Sequence, residues 1–110
     1  MPGLYEIKEN ESGQTSFVLK ADNGEIILRS ESYQARASAE NGIASVRSHC
    51  VKSENFVTHE AKDGSLYFNL MAANGLIIGT SQMYHSEAAR TKGMESVKAN
   101  GPSTNVVTVP

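Results

Sequence analysis

The sequence predicts an α+β domain in which two tandem βββα repeats and a closing strand share one antiparallel-rich sheet, with two helices on one face. Three observations predict this fold. The 110-residue chain repeats itself at an offset of 51 positions. Each repeat contains an Asn-Gly pair between two apolar runs, which is typical of a β-hairpin. A segment rich in Ala, Glu, Ser and basic residues follows each hairpin and has helical periodicity.

The internal repeat determines how the chain is divided. Thirteen of 35 aligned positions are identical between residues 17–51 and residues 68–102. We therefore expect repeats at 1–52 and 53–102, followed by a closing strand at 103–110. Units of about 50 residues are too small to bury a good core alone. The two repeats are thus expected to merge into a single domain over 1–110.

Local signals place the strands and helices within each repeat. The Asn23-Gly24 and Asn74-Gly75 pairs predict two-residue type I′ turns, in which both central residues have positive φ. The predicted strands cover 4–8, 16–22, 25–29, 55–60, 67–73, 76–80 and 105–109. Helices are predicted at 35–50 and 86–100. In the first helix the apolar residues form one stripe, which consists of Ala39, Ile43, Val46 and Cys50.

Two-residue turns would also determine which residues share a face of the sheet. The helix-covered face would hold Phe17, Leu19, Ala21, Ile26 and Leu28, with their counterparts in the second repeat. The uncovered face would be charged in the first repeat but apolar in the second, where it would carry Met71, Leu76 and Ile78. If these three side chains are exposed, they predict a surface for a protein partner. The alternative is that the final strand or a loop covers them.

At these motifs the sequence resembles the YegP-like proteins, a bacterial and archaeal family of unknown function. The resemblance rests on Phe17–Leu28 with its Asn23-Gly24 turn, on Tyr33, and on Gly42, together with the same pattern in the second repeat. The second repeat has Lys92 and Met94 where the first has Asn41 and Ile43. The resemblance implies one sheet built from two β-β-β-α-β units that exchange their C-terminal strands. It implies no activity, catalytic residue or cofactor.

No group of residues predicts catalysis, metal binding or a cofactor. Cys50 extends an apolar helical stripe and is expected to be a buried, inert thiol, and adjacent His49 points about 100° away from it. Neither His59 nor His85 is matched by a second histidine at the corresponding position of the chain, so neither is duplicated. The repeated residues are interpreted as structural: they are Asn23, Gly24, Tyr33, Gly42, Asn74, Gly75, Tyr84 and Gly93. Tyr33 and Tyr84 would anchor the strand–helix connections through their hydroxyls, and Gly42 and Gly93 would permit close approach of the helices.

Composition favours a cytoplasmic protein that does not enter membranes. The net charge is −2, there is one cysteine, and neither a signal peptide nor an 18-residue apolar run is expected. We interpret the protein as a non-enzymatic interaction or scaffolding module, monomeric rather than dimeric. Weak nucleic-acid or small-ligand binding is the alternative. It is less favoured, because the basic residues of the helices are interleaved with glutamates, which indicates a solvated face of mixed charge. An enzyme is the least favoured class.

Overall fold

The computed structural model describes residues 3–110 and confirms the predicted fold class. In chain order, the elements are β1 (Leu4–Glu9), β2 (Thr15–Lys20), β3 (Ile26–Ser30), α1 (Arg36–His49), a 3₁₀ turn (Ser53–Asn55), β4 (Phe56–Glu60), β5 (Leu66–Met71), β6 (Ile77–Thr80), α2 (Glu87–Asn100) and β7 (Val106–Thr108). The strands form one sheet in the order β4-β5-β6-β3-β2-β1-β7. Each repeat therefore supplies one half of a continuous sheet.

The two halves meet at the centre, and the closing strand crosses from the second repeat to the first. β3 pairs with β6 in antiparallel orientation, with Arg29 opposite Thr80. The closing strand β7 follows α2 of the second repeat but pairs in parallel with β1 of the first. Two backbone hydrogen bonds mark the ends of the β1–β7 pairing. The Tyr5 N–H donates to the Asn105 carbonyl at 3.0 Å, and the Val109 N–H donates to the Ile7 carbonyl at 2.9 Å. The chain thus returns to the edge at which it began.

The predicted type I′ turns are wrong. Gly24 and Gly75 have φ values of +88° and +83°, whereas no residue other than glycine among 3–110 has a positive φ. The Gly24 N–H donates to the Ala21 carbonyl and the Ala21 N–H donates to the Glu25 carbonyl, so the loop contains three residues. This is the type I turn that ends in a left-handed glycine. The Asn23 side chain supports it by accepting from the Glu25 N–H at 3.0 Å.

The longer turn changes which side chains reach the core. Ile26 now lies opposite Lys20 on the uncovered face, and a bulge restores the pairing of Leu19 with Leu28. Ile27 becomes the additional residue of the bulge and is 4% exposed. The predicted placement of Ile26 on the covered face is therefore wrong. The second repeat has the same bulge, which makes Ile78 equally buried.

Both helices lie on one face, and each one extends over both repeats. α1 contacts β2 of its own repeat together with β5 and β6 of the other. α2 contacts β5 of its own repeat together with β2 and β3 of the other. The core between the helices and the sheet includes Phe17 and Phe68 from the strands and Val46 and Val97 from the helices, all nearly or fully buried. Neither repeat has a core of its own.

Candidate functional site

Two tyrosine–glycine contacts hold the helices close to the sheet. A Cβ atom on Gly42 would lie 2.6 Å from the Tyr33 hydroxyl, and one on Gly93 would lie 2.5 Å from Cζ of Tyr84. Both tyrosine rings also stack on a core phenylalanine, with ring centroids 6.3 Å apart. Glycine is required at these two helical positions because the tyrosine occupies the space that any side chain would need.

The backbone of each tyrosine, rather than its hydroxyl, anchors the strand–helix connection. Tyr33 exchanges two hydrogen bonds with Thr15, of 2.7 and 2.8 Å, and Tyr84 does the same with Leu66. The buried Tyr84 hydroxyl has no hydrogen-bond partner among the described residues. Burial raises the pKa of Tyr33, and the nearby Glu31 carboxylate raises it further. The prediction that the hydroxyls act as anchors is thus wrong for Tyr84.

Two clefts lie beside these tyrosines and are related by the repeat. In each cleft, the hairpin of one repeat faces the helix of the other. The first cleft has a volume of about 290 Å³ and is lined by Ala21, Asn23, Glu25, Ile27, Gln82, Tyr84, Ala89, Lys92, Gly93 and Ser96. The second, of about 270 Å³, contains the counterpart of every one of these residues, with Asn41 in place of Lys92 and Leu76 in place of Glu25. The clefts follow from the crossed helices and hold no shared cluster of titratable groups.

His49 and Cys50 do not form a reactive pair. Cys50 is completely buried, as its position in the apolar stripe predicts, and burial raises the pKa of its thiol. The Nδ1 atom of His49 lies 2.8 Å from the Ser45 carbonyl, and its Nε2 atom accepts the Ala73 N–H at 3.2 Å. His49 therefore ties α1 to the β5–β6 turn of the other repeat. Within residues 3–110, no group of three His, Cys, Asp or Glu side chains could hold a metal ion.

The uncovered face of the sheet differs from the one predicted. Of the three residues expected to form its apolar cluster, Ile78 is buried in the core at 4% exposure, because of the bulge. Leu76 is 66% exposed but lies directly after the hairpin turn, where it accepts from the Ala72 N–H, and it lines a cleft that faces α1. Met71 is on the uncovered face, half-buried, where its neighbour across the strands is Ile77. Ile77 takes the place that the prediction gave to Ile78.

The corrected register shows that four charged or polar positions of the uncovered face carry different residue types in the second repeat, whereas Ile26 is matched by Ile77 and Val18 is replaced by the polar Asn69. Four polar or charged side chains of the first repeat are Glu6, Lys8, Ser16 and Lys20, and their counterparts are Val57, His59, Tyr67 and Met71. Lys20 and Glu6 form an ion pair of 2.9 Å. Val57 and Ile77 are 41% and 42% exposed. We call Val57, His59, Tyr67, Met71 and Ile77 the second-repeat face.

A polar network lies in the middle of the second-repeat face. His59 Nε2 is 2.9 Å from the side-chain Nδ2 atom of Asn69, and the Thr80 hydroxyl donates to the side-chain Oδ1 atom of Asn69 at 3.0 Å. The imidazole also stacks on Tyr67, with ring centroids 5.1 Å apart. Sequence reasoning missed this group. Period-two alternation along 57–59, combined with a three-residue turn at 62–64, would have placed His59 opposite Tyr67.

The fold and its duplicated clefts define a class of protein: a tandem-repeat α+β domain whose two units share one sheet and exchange elements. In residues 3–110, no helix is both long and apolar enough to cross a membrane. The model of the family described as a domain of unknown function, DUF1508, matches residues 10–56 and again residues 61–107. The chain belongs to this family, in its two-repeat form.

The relatives of the chain are bacterial proteins. A UPF0339 protein of Acinetobacter baylyi is 56% identical over 106 residues, which cover 96% of each chain. The UPF0339 protein YegP of Escherichia coli K12 is 51% identical with the same coverage. The solution structure of E. coli YegP, a protein of unknown function, has a TM-score of 0.93 and 50% identity and covers 98% of this chain and 93% of that chain. A Shewanella oneidensis UPF0339 structure has a TM-score of 0.92 and 47% identity, covering 98% and 92%.

Proposed function

We propose that this protein is a non-enzymatic interaction module that binds a protein partner through the second-repeat face. The observation that carries this proposal is the replacement of polar and charged side chains at equivalent positions of one sheet. Glu6 and Lys20 keep the first half of the face solvated, whereas Val57 and Met71 make the second half apolar. The β1–β2–β3 and β4–β5–β6 strand sets pair in the same register, so the difference between these two sets resides in their side chains.

The energetics of exposure support an interaction surface. Full burial of a Met, Ile or Val side chain stabilises by roughly 1.5–3 kcal/mol. Val57 and Ile77 forgo much of this stabilisation in the isolated chain, because each is more than 40% exposed. Clustered exposed apolar residues mark binding sites, whereas scattered ones do not. The His59–Asn69–Thr80 network adds directional hydrogen-bonding groups at the centre of the cluster, which is the arrangement of an apolar site with few polar contacts.

The partner that suits this face is a protein surface rather than a nucleic acid. Single-stranded nucleic acids bind to sheets that offer several exposed aromatic rings beside basic side chains. The second-repeat face has one tyrosine, and that ring already stacks on His59. The cytoplasm is the compartment we propose, because one cysteine cannot form an intrachain disulfide.

The first prediction compares the same substitution at equivalent positions of the two repeats, so that the first repeat is the control for the second. Ile77→Lys introduces a charge into the second-repeat face, and Ile26→Lys makes the same change at the equivalent position of the first repeat. Both side chains lie on the uncovered face, so both variants should fold. Tagged wild-type protein and the two variants are used to capture partners from extracts of the native organism, and bound proteins are quantified. We expect Ile77→Lys to reduce capture at least tenfold and Ile26→Lys to leave it unchanged.

Two outcomes would contradict the proposal. Equal loss of capture in both variants would mean that the second-repeat face is not distinct from the first. Nucleic acid recovered in place of protein, or tight binding of a labelled single-stranded oligonucleotide, would move the protein into the nucleic-acid-binding class. Circular dichroism of each variant provides the check that the sheet and helices are intact.

A further inference from the structure

The first strands of the two repeats occupy equivalent positions but have different neighbours. β1 and β4 both pair with the second strand of their own hairpin, and in the same register: Tyr5 faces Leu19, as Phe56 faces Leu70. On its other side, β1 carries the parallel strand β7. Within the described part of the chain, no strand lies on the other side of β4. One half of the sheet therefore has four strands and the other has three.

In the first repeat, the segment that leads into β7 closes the space between β1 and α1. The Tyr5 hydroxyl donates to the Gly101 carbonyl at 2.6 Å. Arg47 of α1 donates to the Ser103 carbonyl at 2.7 Å, and its guanidinium lies 5.4 Å from the centre of the Tyr5 ring. Tyr5 and Ile7 are 0% and 1% exposed as a result. The segment at 101–103 and Arg47 thus enclose the Tyr5 side chain.

The equivalent space in the second repeat is open. A cleft of about 210 Å³ lies between β4 and α2 and is lined by Ser53, Phe56, Thr58, Met94, Glu95 and Lys98. Phe56 and Met94 are only half-buried, although their counterparts Tyr5 and Ile43 are fully buried. Lys98, the counterpart of Arg47, donates to the Ser53 hydroxyl. The space beside the first strand is thus closed by residues 101–103 in the first half and open in the second.

The backbone of β4 also offers the hydrogen-bonding groups that β1 uses. Tyr5 and Ile7 direct their backbone groups to β7, because alternate residues of a strand bond to opposite neighbours. Thr58 is opposite Phe68, as Ile7 is opposite Phe17, so the N–H and carbonyl of Thr58 point away from β5. The groups of Glu60 point the same way, whereas the Phe56 N–H already donates to the Ser53 carbonyl.

We propose that the outer edge of β4 binds an extended segment of a partner protein, which adds to the sheet as a strand parallel to β4. A segment of the chain itself indicates which residues suit this edge, because Ser103–Thr108 occupies the matching position beside β1. Like Ser103–Thr108, the segment has a short polar turn followed by uncharged β-branched residues. Strand addition of this kind obtains affinity from main-chain hydrogen bonds and specificity from side-chain pockets.

A second copy of this chain is a poorer occupant than a separate partner. The segment of the chain that supplies this chemistry, β7, is already hydrogen-bonded to its own β1. Supplying that strand to a neighbour would break as many backbone bonds as it formed. The edge site uses the outward backbone groups of β4 and the side of the sheet that carries Phe56, whereas the second-repeat face uses side chains on the opposite side of the sheet. This inference therefore does not depend on the function proposed above.

The second prediction tests the edge with a synthetic peptide of residues 103–110. The full chain is labelled with ¹⁵N and titrated with the peptide. We expect saturable shift changes at the amides of Thr58 and Glu60 and little change at Tyr5 and Ile7. Thr58→Pro removes an outward N–H that makes no bond to β5, a change that edge strands tolerate. It should weaken peptide binding at least tenfold.

Thr108→Pro provides the matched control, because Thr108 also presents its N–H outward, at the opposite edge of the sheet. This variant should bind the peptide as the wild type does. Shift changes confined to β1 would mean that the peptide displaces β7, and the absence of saturable shifts in the wild type would mean that the β4 edge is not a binding site. Dimerisation that Thr58→Pro abolishes would identify a second copy as the occupant. Each of these three results would overturn the proposal.

Discussion

Two buried tyrosine hydroxyls of this fold differ in whether they have a hydrogen-bond partner. Tyr5 and Tyr84 both have largely buried rings that contact the core. The Tyr5 hydroxyl donates to the Gly101 carbonyl at 2.6 Å, and burial raises its pKa far above the ordinary value. The Tyr84 hydroxyl is buried without a partner among the described residues and lies against Gly93. A buried polar group stabilises only when it is hydrogen-bonded.

The third prediction compares these two hydroxyls. Tyr5→Phe leaves the buried Gly101 carbonyl without its donor and should lower the free energy of unfolding by about 1–3 kcal/mol. Tyr84→Phe removes a hydroxyl that gains nothing from burial, so it should change stability by less than about 0.5 kcal/mol or increase it. Urea unfolding followed by circular dichroism measures both values. Equal destabilisation by the two substitutions would mean that the Tyr84 hydroxyl has a partner.

At the scale of elements, the closing strand holds the two repeats together. β7 contributes only three residues, and their side chains are exposed. Its importance therefore lies in its backbone bonds to β1 and in the segment before it, where Ser103 accepts from Arg47. Because the Asn105 carbonyl and the Val109 N–H both bond to β1, alternation directs the Val107 N–H to β1 and the Thr108 N–H to solvent.

The fourth prediction follows from this alternation. Val107→Pro removes a bond to β1 and should destabilise the protein by about 1–2 kcal/mol. Thr108→Pro removes a free N–H and should change stability by less than about 0.5 kcal/mol. The midpoints of urea unfolding, with unchanged slopes, measure the difference. If the two variants were equally stable, β7 would not have the parallel register that the structure shows.

The elements also show which features could be predicted from sequence. The strands and helices were predictable, because Asn-Gly turns and the apolar stripe through Val46 are local signals. The burial of Ile27 was not predictable, because Asn23-Gly24 suits both the two-residue and the three-residue turn. One additional residue in the turn moves the side chains that follow it to the opposite face of the sheet. Of the three residues predicted to form the candidate site, Met71 lies on the uncovered face of the sheet, whereas Leu76 and Ile78 do not, because the additional residue of the second hairpin turn shifts both of them.

The whole molecule is interleaved rather than assembled from two separate units. Each helix lies over strands of both repeats, and β7 returns from the second repeat to the first. His49 of α1 accepts a hydrogen bond from Ala73 in the second repeat, and Arg47 bonds to Ser103 beyond α2. This interleaving predicts that the two candidate binding surfaces, the second-repeat face and the β4 edge, belong to one cooperative folding unit. This is the central claim of the structural account.

Native-state hydrogen exchange of a single core variant tests that claim most directly. Val97→Ala truncates a fully buried side chain of α2 and should lower the free energy of unfolding by about 1–3 kcal/mol. The slowest-exchanging amides of β2, in the first repeat, and of β5, in the second, are compared with those of the wild type. One cooperative unit predicts the same opening free energy in both strands and the same decrease in both. A decrease confined to β5, with β2 unchanged, would show that the repeats fold separately and would contradict the account.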